Sequence, residues 1–140
     1  MSEFFEIVEQ ICSQDKRYKP DAYEFVLEGL TFTQKKLKKP VSSDAKHSLG
    51  QAHVSGKELA YGLRDFAIDR YGALSSRVLS HWGINQTLDF GNIVFNMIEK
   101  KLLSKTPDDS RLDFDAVYDF KVAFSNILAE SVIAGFKSKK

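Results

Sequence analysis

Along most of this chain apolar side chains recur at three- and four-residue steps, the period that gathers them on one face of a helix. Ser2 is suited to an N-cap, and Phe4, Phe5, Ile7, Val8, Ile11 and Cys12 then predict a first helix that docks by one face. The stretch Ser13 to Lys19 is polar. Pro20 sits where a first helical turn tolerates a missing N–H, and Asp21 near the positive end of the helix dipole. Tyr23, Val26, Leu27, Leu30 and Leu37 are thus expected to form the buried stripe of a second helix. Lys35, Lys36, Lys38 and Lys39 suit its negative end, and Pro40 blocks its continuation.

Residues 41–54 turn to Ser, Gly, Asp and Gln without apolar period, which predicts a mobile loop and connector. Ser55-Gly56-Lys57-Glu58 has capping-box spacing and is the clearest helix start in the chain. Leu59, Leu63, Phe66, Ala67 and Tyr71 continue on one face to Gly72, a residue type that ends helices. A shorter helix with Leu74, Val78, Leu79 and Trp82 stops at Gly83 by the same device. Thr87 is expected to cap a helix over Leu88 to Leu103, apolar on most sides, with a narrow polar strip of Asp89, Asn92, Asn96 and Glu99. Such a helix belongs at the centre of a domain.

Thr106 to Ser110 is a turn by composition. After it, Leu112, Phe114, Ala116, Tyr118 and Phe120 alternate as in a strand, while Val117, Phe120, Phe124, Ile127 and Leu128 fit a helix. A short extended piece at Arg111 to Asp113, then a helix to about Phe136 and a frayed basic tail over residues 137–140, is the favoured pattern. The expected fold class is mainly α, a single compact domain of five or six helices over residues 1–140. A small β-hairpin near Thr106 would make its C-terminal half winged-helix-like.

Composition narrows the function classes. A chain of 140 residues, 43% hydrophobic and with eleven Phe, has material for one core. Its net charge of +1 gives no whole-molecule attraction to nucleic acid or to an anionic membrane. The single Cys12 allows neither an internal disulfide nor a multi-Cys zinc site, which points to a reducing compartment. No apolar run approaches the roughly 18 residues a membrane span needs, and the acidic start lacks a signal peptide's basic one. A cytoplasmic protein without a membrane partner is expected.

Several stretches together resemble a conserved-hypothetical family of Planctomycetes and Verrucomicrobia. They are residues 53–59 (His53-Val54-Ser55-Gly56-Lys57-Glu58-Leu59), Gly62-Leu63-Arg64, residues 78–84 around His81-Trp82-Gly83, residues 89–95 opening Asp89-Phe90-Gly91-Asn92, and Asp109-Ser110 through Val117-Tyr118-Asp119-Phe120. The resemblance spans about Tyr18 to Phe124 and leaves the loop before Ala52 outside. It implies no activity, cofactor or catalytic residue.

No catalytic, cofactor-binding or metal-ligating set is expected, and no cofactor. His47 falls in the predicted loop, His53 beside a helix start and His81 at a helix end, and no two share the i, i+4 spacing of paired ligands. His81 could meet Asp89 across the turn. Asp108, Asp109, Asp113, Asp115 and Asp119 lack the glycine of a calcium loop and suit a solvated turn and helix caps. Cys12, on an apolar face, is expected to be a buried inert thiol.

The favoured role is a non-enzymatic interaction or assembly module, with a second copy or another protein as partner. The alternative is a winged-helix-like nucleic-acid binder. Lys35, Lys36, Lys38 and Lys39 would grip phosphates, and Asn92 and Asn96 would offer base-reading groups. Asp89 and Glu99 on the same strip argue against it. An enzyme with a scattered site ranks third.

Overall fold

A computed structural model describes residues 2–37 and 53–124. These hold five α-helices: α1 (Ser2–Gln14), α2 (Pro20–Lys36), α3 (Gly56–Tyr71), α4 (Ser75–His81) and α5 (Thr87–Glu99). Two 3₁₀ turns, Gly72–Leu74 and Arg111–Phe114, join them. Residues 120–124 are also helical. The fold is mainly α, as the periodicity predicts. Lys38, Lys39, His47, most of the expected loop, the expected helix beyond Phe124 and the expected basic tail lie outside the described residues.

Helix α2 begins with Pro20 in its first turn and carries Tyr23, Val26 and Leu30 fully into the core. Phe25 joins them, whereas Leu37 is exposed. Helix α3 crosses α2 at small residues. Gly29 lies against Leu63 and Phe66, and Gly62 lies against Thr33, so closely that an added methyl would overlap the facing side chain in each case. The α3 start is the predicted capping box: Ser55 Oγ accepts from Glu58 N–H at 3.0 Å, and Glu58 Oε1 from Ser55 N–H at 3.0 Å.

Helix α5 packs against α1, α2, α3 and the second 3₁₀ turn, and so occupies the centre predicted for it. Phe90, Ile93, Val94 and Met97 are fully buried. Its limits differ from the expected ones. Thr87 is the first residue inside the helix and not its cap. Its hydroxyl donates to the Phe114 carbonyl at 2.6 Å and accepts from Val117 N–H at 3.1 Å. At the other end the helix stops at Glu99, because Lys101 turns left-handed (φ 65°) and Lys101 N–H and Leu102 N–H bond back to the carbonyls of Ile98 and Met97. That is the Schellman pattern, here without glycine. The same pattern at the predicted place ends α4, with Gly83 (φ 95°) and Ile84 N–H bonded to the Leu79 carbonyl.

No strand occurs among the described residues, and Ser104 is one isolated bridge position. The expected hairpin near Thr106 is instead a turn that closes on itself: Asp109 N–H donates to the Thr106 carbonyl and Thr106 N–H to Asp109 Oδ2. Arg111 to Asp113, expected extended, is helical in the 3₁₀ sense. It coils there because Phe114 must reach back into a slot between Gly56 and Gly91, where an added Cβ would crowd its ring. No helix of the described residues is long and apolar enough to cross a membrane.

Candidate functional site

Residues Asp15 to Lys19 link α1 to α2 and lie along the polar face of α5, from Asp89 to Asn96. The link is held first through backbone. Lys19 N–H donates to the Trp82 carbonyl at 3.1 Å, and the Gly83 turn lets the Arg17 carbonyl approach where any side chain would collide with it. Tyr18 then turns its ring inward, 3% exposed, and Arg17 turns its guanidinium outward, 55% exposed.

Beneath this link lies the polar strip of α5. Asp89, Asn92 and Asn96 are three and four residues apart, which sets them on one face. Tyr18 Oη donates to Asp89 Oδ1 at 2.6 Å, and Asn92 Nδ2 donates to Tyr18 Oη at 2.9 Å. The second Asp89 oxygen accepts Asn85 N–H at 2.8 Å and Gln86 N–H at 3.1 Å, so the same carboxylate satisfies donors just before α5. One turn on, Asn96 Nδ2 donates to Asp15 Oδ2 and to Tyr23 Oη, both at 3.0 Å. Asp15 in turn accepts a bidentate pair from Arg17, at 2.9 Å from Nε and 2.7 Å from a terminal nitrogen. From the other side, Arg111 on the second 3₁₀ turn donates to Asn92 Oδ1 at 3.3 Å.

These contacts set the electrostatics. The bonds from Arg17 and then Asn96 hold the Asp15 carboxyl well below the usual carboxylate range, against a burial that acts the other way. Burial, and then the bond to Asp89, pushes the Tyr18 phenol far above its ordinary value. Burial pushes Tyr23 up to about 12. All three groups keep fixed protonation states across the neutral range. Cys12 sits nearby, half-buried, with Sγ 3.5 Å from the Tyr18 carbonyl; burial, followed by Asp15 and Glu9, raises its thiol and makes it a poor nucleophile.

Above the network opens a cleft of about 370 Å³, lined by Arg17, Asn92, Phe95, Asn96, Ile98, Glu99 and Arg111. Two connectors far apart in sequence thus place a guanidinium each on one cleft. Arg17 is matched by Asp15, whereas Arg111 has no carboxylate partner among the described residues.

Of the described residues singled out in the sequence, Asn92 and Asn96 share this cleft, whereas Lys35 and Lys36 do not line it. Asn92 is 6% exposed and Asn96 partly buried, and both spend their amide N–H groups on partners inside the protein and not on an outside ligand. Lys35 is exposed, and Lys36 pairs with Asp65 at 2.6 Å on the side of α3. His81 is exposed and does not meet Asp89, whose oxygens are taken by Tyr18, Asn85 and Gln86. His53 Nε2 lies 3.6 Å from Asp109 Oδ1. Asp119 caps the last described helix through its bonds with Lys121 N–H and Ala123 N–H. Among the described residues no group of His, Cys, Asp and Glu could hold a metal ion.

Arg17, Tyr18 and Arg111 are the residues that sequence reasoning missed. One signal pointed to them: a helix central enough to be apolar on nearly every side has no solvent face, so its polar strip needs partners from elsewhere. No protein-family model matches the chain, and no curated protein and no solved structure is found to be similar to it.

Proposed function

We propose that the protein is a non-enzymatic interaction module that engages a protein partner at the cleft between Arg17 and Arg111. The observation that carries this reading is the display of two arginines, from two separate connectors, on a floor braced by hydrogen bonds that join Asn92 and Asn96 to Tyr18, Tyr23, Asp15 and Arg111. Recognition benefits from such preorganisation, since little side-chain freedom is left to lose on binding. Arginine is also the cation type enriched at protein interfaces. Asp15 and Tyr18 beneath the cleft are held in one state by the contacts described above, which suits a bracing role better than acid–base work. The likeness to the conserved-hypothetical family of Planctomycetes and Verrucomicrobia belongs to the same proposal and adds no activity to it.

Site-specific photo-crosslinking in cells tests this reading. A crosslinker replacing Ile98 in the cleft should yield a discrete heavier species, and one replacing the exposed Lys57 should not. Mass analysis of that species separates a second copy from a different protein. Equal crosslinking at both positions, or none at Ile98, removes the reading.

A further inference from the structure

We infer that the cleft takes one carboxylate side chain, an Asp or Glu of an acidic peptide segment, with Arg111 as the residue that pairs with it. This rests on the interaction reading and names the chemistry of the partner. Arg111 is exposed, and its one bond among the described residues, to Asn92 Oδ1 at 3.3 Å, leaves the other guanidinium N–H groups available. Arg17 contributes less, because two of its nitrogens are spent on Asp15.

The rest of the lining limits the anion to a single charge. Phe95, Asn96, Ile98 and Glu99 belong to the last turns of α5, whose carbonyl end carries partial negative charge. Glu99 adds a full negative charge and is exposed. A dianionic phosphate is repelled by both about twice as strongly as a carboxylate, so the lining favours the singly charged group. Acceptors also remain for a peptide's N–H donors. The Asn96 carboxamide spends its nitrogen on Asp15 and Tyr23 and has its oxygen left over, and Glu99 offers two more oxygens. A carboxylate flanked by main-chain N–H groups matches that pattern of one cation beside several acceptors.

Nuclear magnetic resonance titration of the full chain tests this, with the side-chain amides of Asn92 and Asn96 as reporters. The probes are acetyl-Ala-Glu-Ala-amide, its Gln counterpart and its phosphoserine counterpart. The Glu peptide should shift the reporters saturably, about tenfold more tightly than the Gln peptide, and less tightly as salt rises. The phosphoserine peptide should bind no more tightly than the Glu peptide. Arg111→Gln should weaken the Glu peptide about tenfold, and Glu99→Gln should tighten it about threefold. Because Glu99→Gln is expected to gain affinity, loss of folding cannot imitate its result.

Equal binding of Glu and Gln peptides, tighter binding of phosphoserine, an unaffected Arg111→Gln variant, weaker binding by Glu99→Gln, or no shift at all each overturns the assignment. If the Ile98 crosslink forms equally well in the Arg111→Gln chain, the carboxylate assignment fails and the interaction reading stands. If wild type forms no crosslink, the interaction reading itself fails.

Discussion

Tyr18 and Asp89, 71 residues apart, are joined by a 2.6 Å hydrogen bond from the phenol to the carboxylate. The same Asp89 closes the backbone before α5, and the same phenol accepts from Asn92. Tyr18→Phe would leave two buried groups short of a partner and should cost about 1–3 kcal/mol. Tyr23→Phe removes an acceptor from Asn96 alone, which keeps Asp15, and should cost about 1 kcal/mol or less. Urea denaturation of both variants checks the order. A Tyr23→Phe loss larger than that of Tyr18→Phe would contradict the network as drawn.

The pH dependence of stability follows from two directions of shift. The folded Asp15 carboxyl lies below its unfolded value, so its contribution is complete above roughly pH 4 and is lost as pH falls through the folded value. Tyr18, Tyr23 and Tyr118 are all raised, chiefly by burial, and Tyr23 reaches about 12. Their contribution is complete below roughly pH 10 and is lost as pH climbs through the folded values. Stability should therefore hold a plateau between an acid limb and an alkaline limb. Asp15→Asn should lower neutral stability by about 1 kcal/mol and flatten the acid limb, leaving the alkaline one in place. Thermal unfolding recorded from pH 2 to 11 shows which limb moves.

Gly62 faces Thr33 across the α2–α3 crossing with no room for a methyl. Gly62→Ala should destabilise the protein by about 1–3 kcal/mol, since the β-branched Thr33 cannot swing aside while its hydroxyl donates to the Gly29 carbonyl at 2.7 Å. Adding Thr33→Ala to that variant should recover part of the loss. A double-mutant cycle measures the coupling, and strictly additive effects would show that the two residues are not in contact.

Lys101 is a non-glycine residue held in the left-handed region at the end of α5. Lys101→Gly removes that strain and should raise stability by about 0.5–1 kcal/mol, the remainder being offset by the freedom glycine gains in the unfolded chain. Calorimetry should show a higher Tm. A lower one would mean that the lysine side chain contributes more than its backbone costs.

Much of the fold was legible because helix ends are marked by local chemistry. Pro20, the Ser55–Glu58 box and Gly83 act within a few residues of themselves and stand where the sequence puts them. The Lys101 turn carries no glycine, so periodicity alone carried the predicted helix on to Leu103. Arg111 to Asp113 departs from its extended sequence pattern for a related reason. Its shape is dictated by a slot between Gly56 and Gly91, which lie far from it in sequence. The cleft was hidden in the same way. Asn92 and Asn96 announced a polar strip, but partners from residues 15–23 and Arg111 become visible only once the helices are packed.

The link between α1 and α2 has one more consequence, for the order in which the molecule assembles. Its bonds to α5 bridge 71, 74 and 81 residues, so this wall of the cleft exists only once loops of that size are closed. A collapsed chain with α2, α3 and α5 already helical would still lack one wall of the cleft. Only the finished protein can present Arg17 and Arg111 together, so a partner docking at the proposed site would distinguish a completed fold from one that has stopped short.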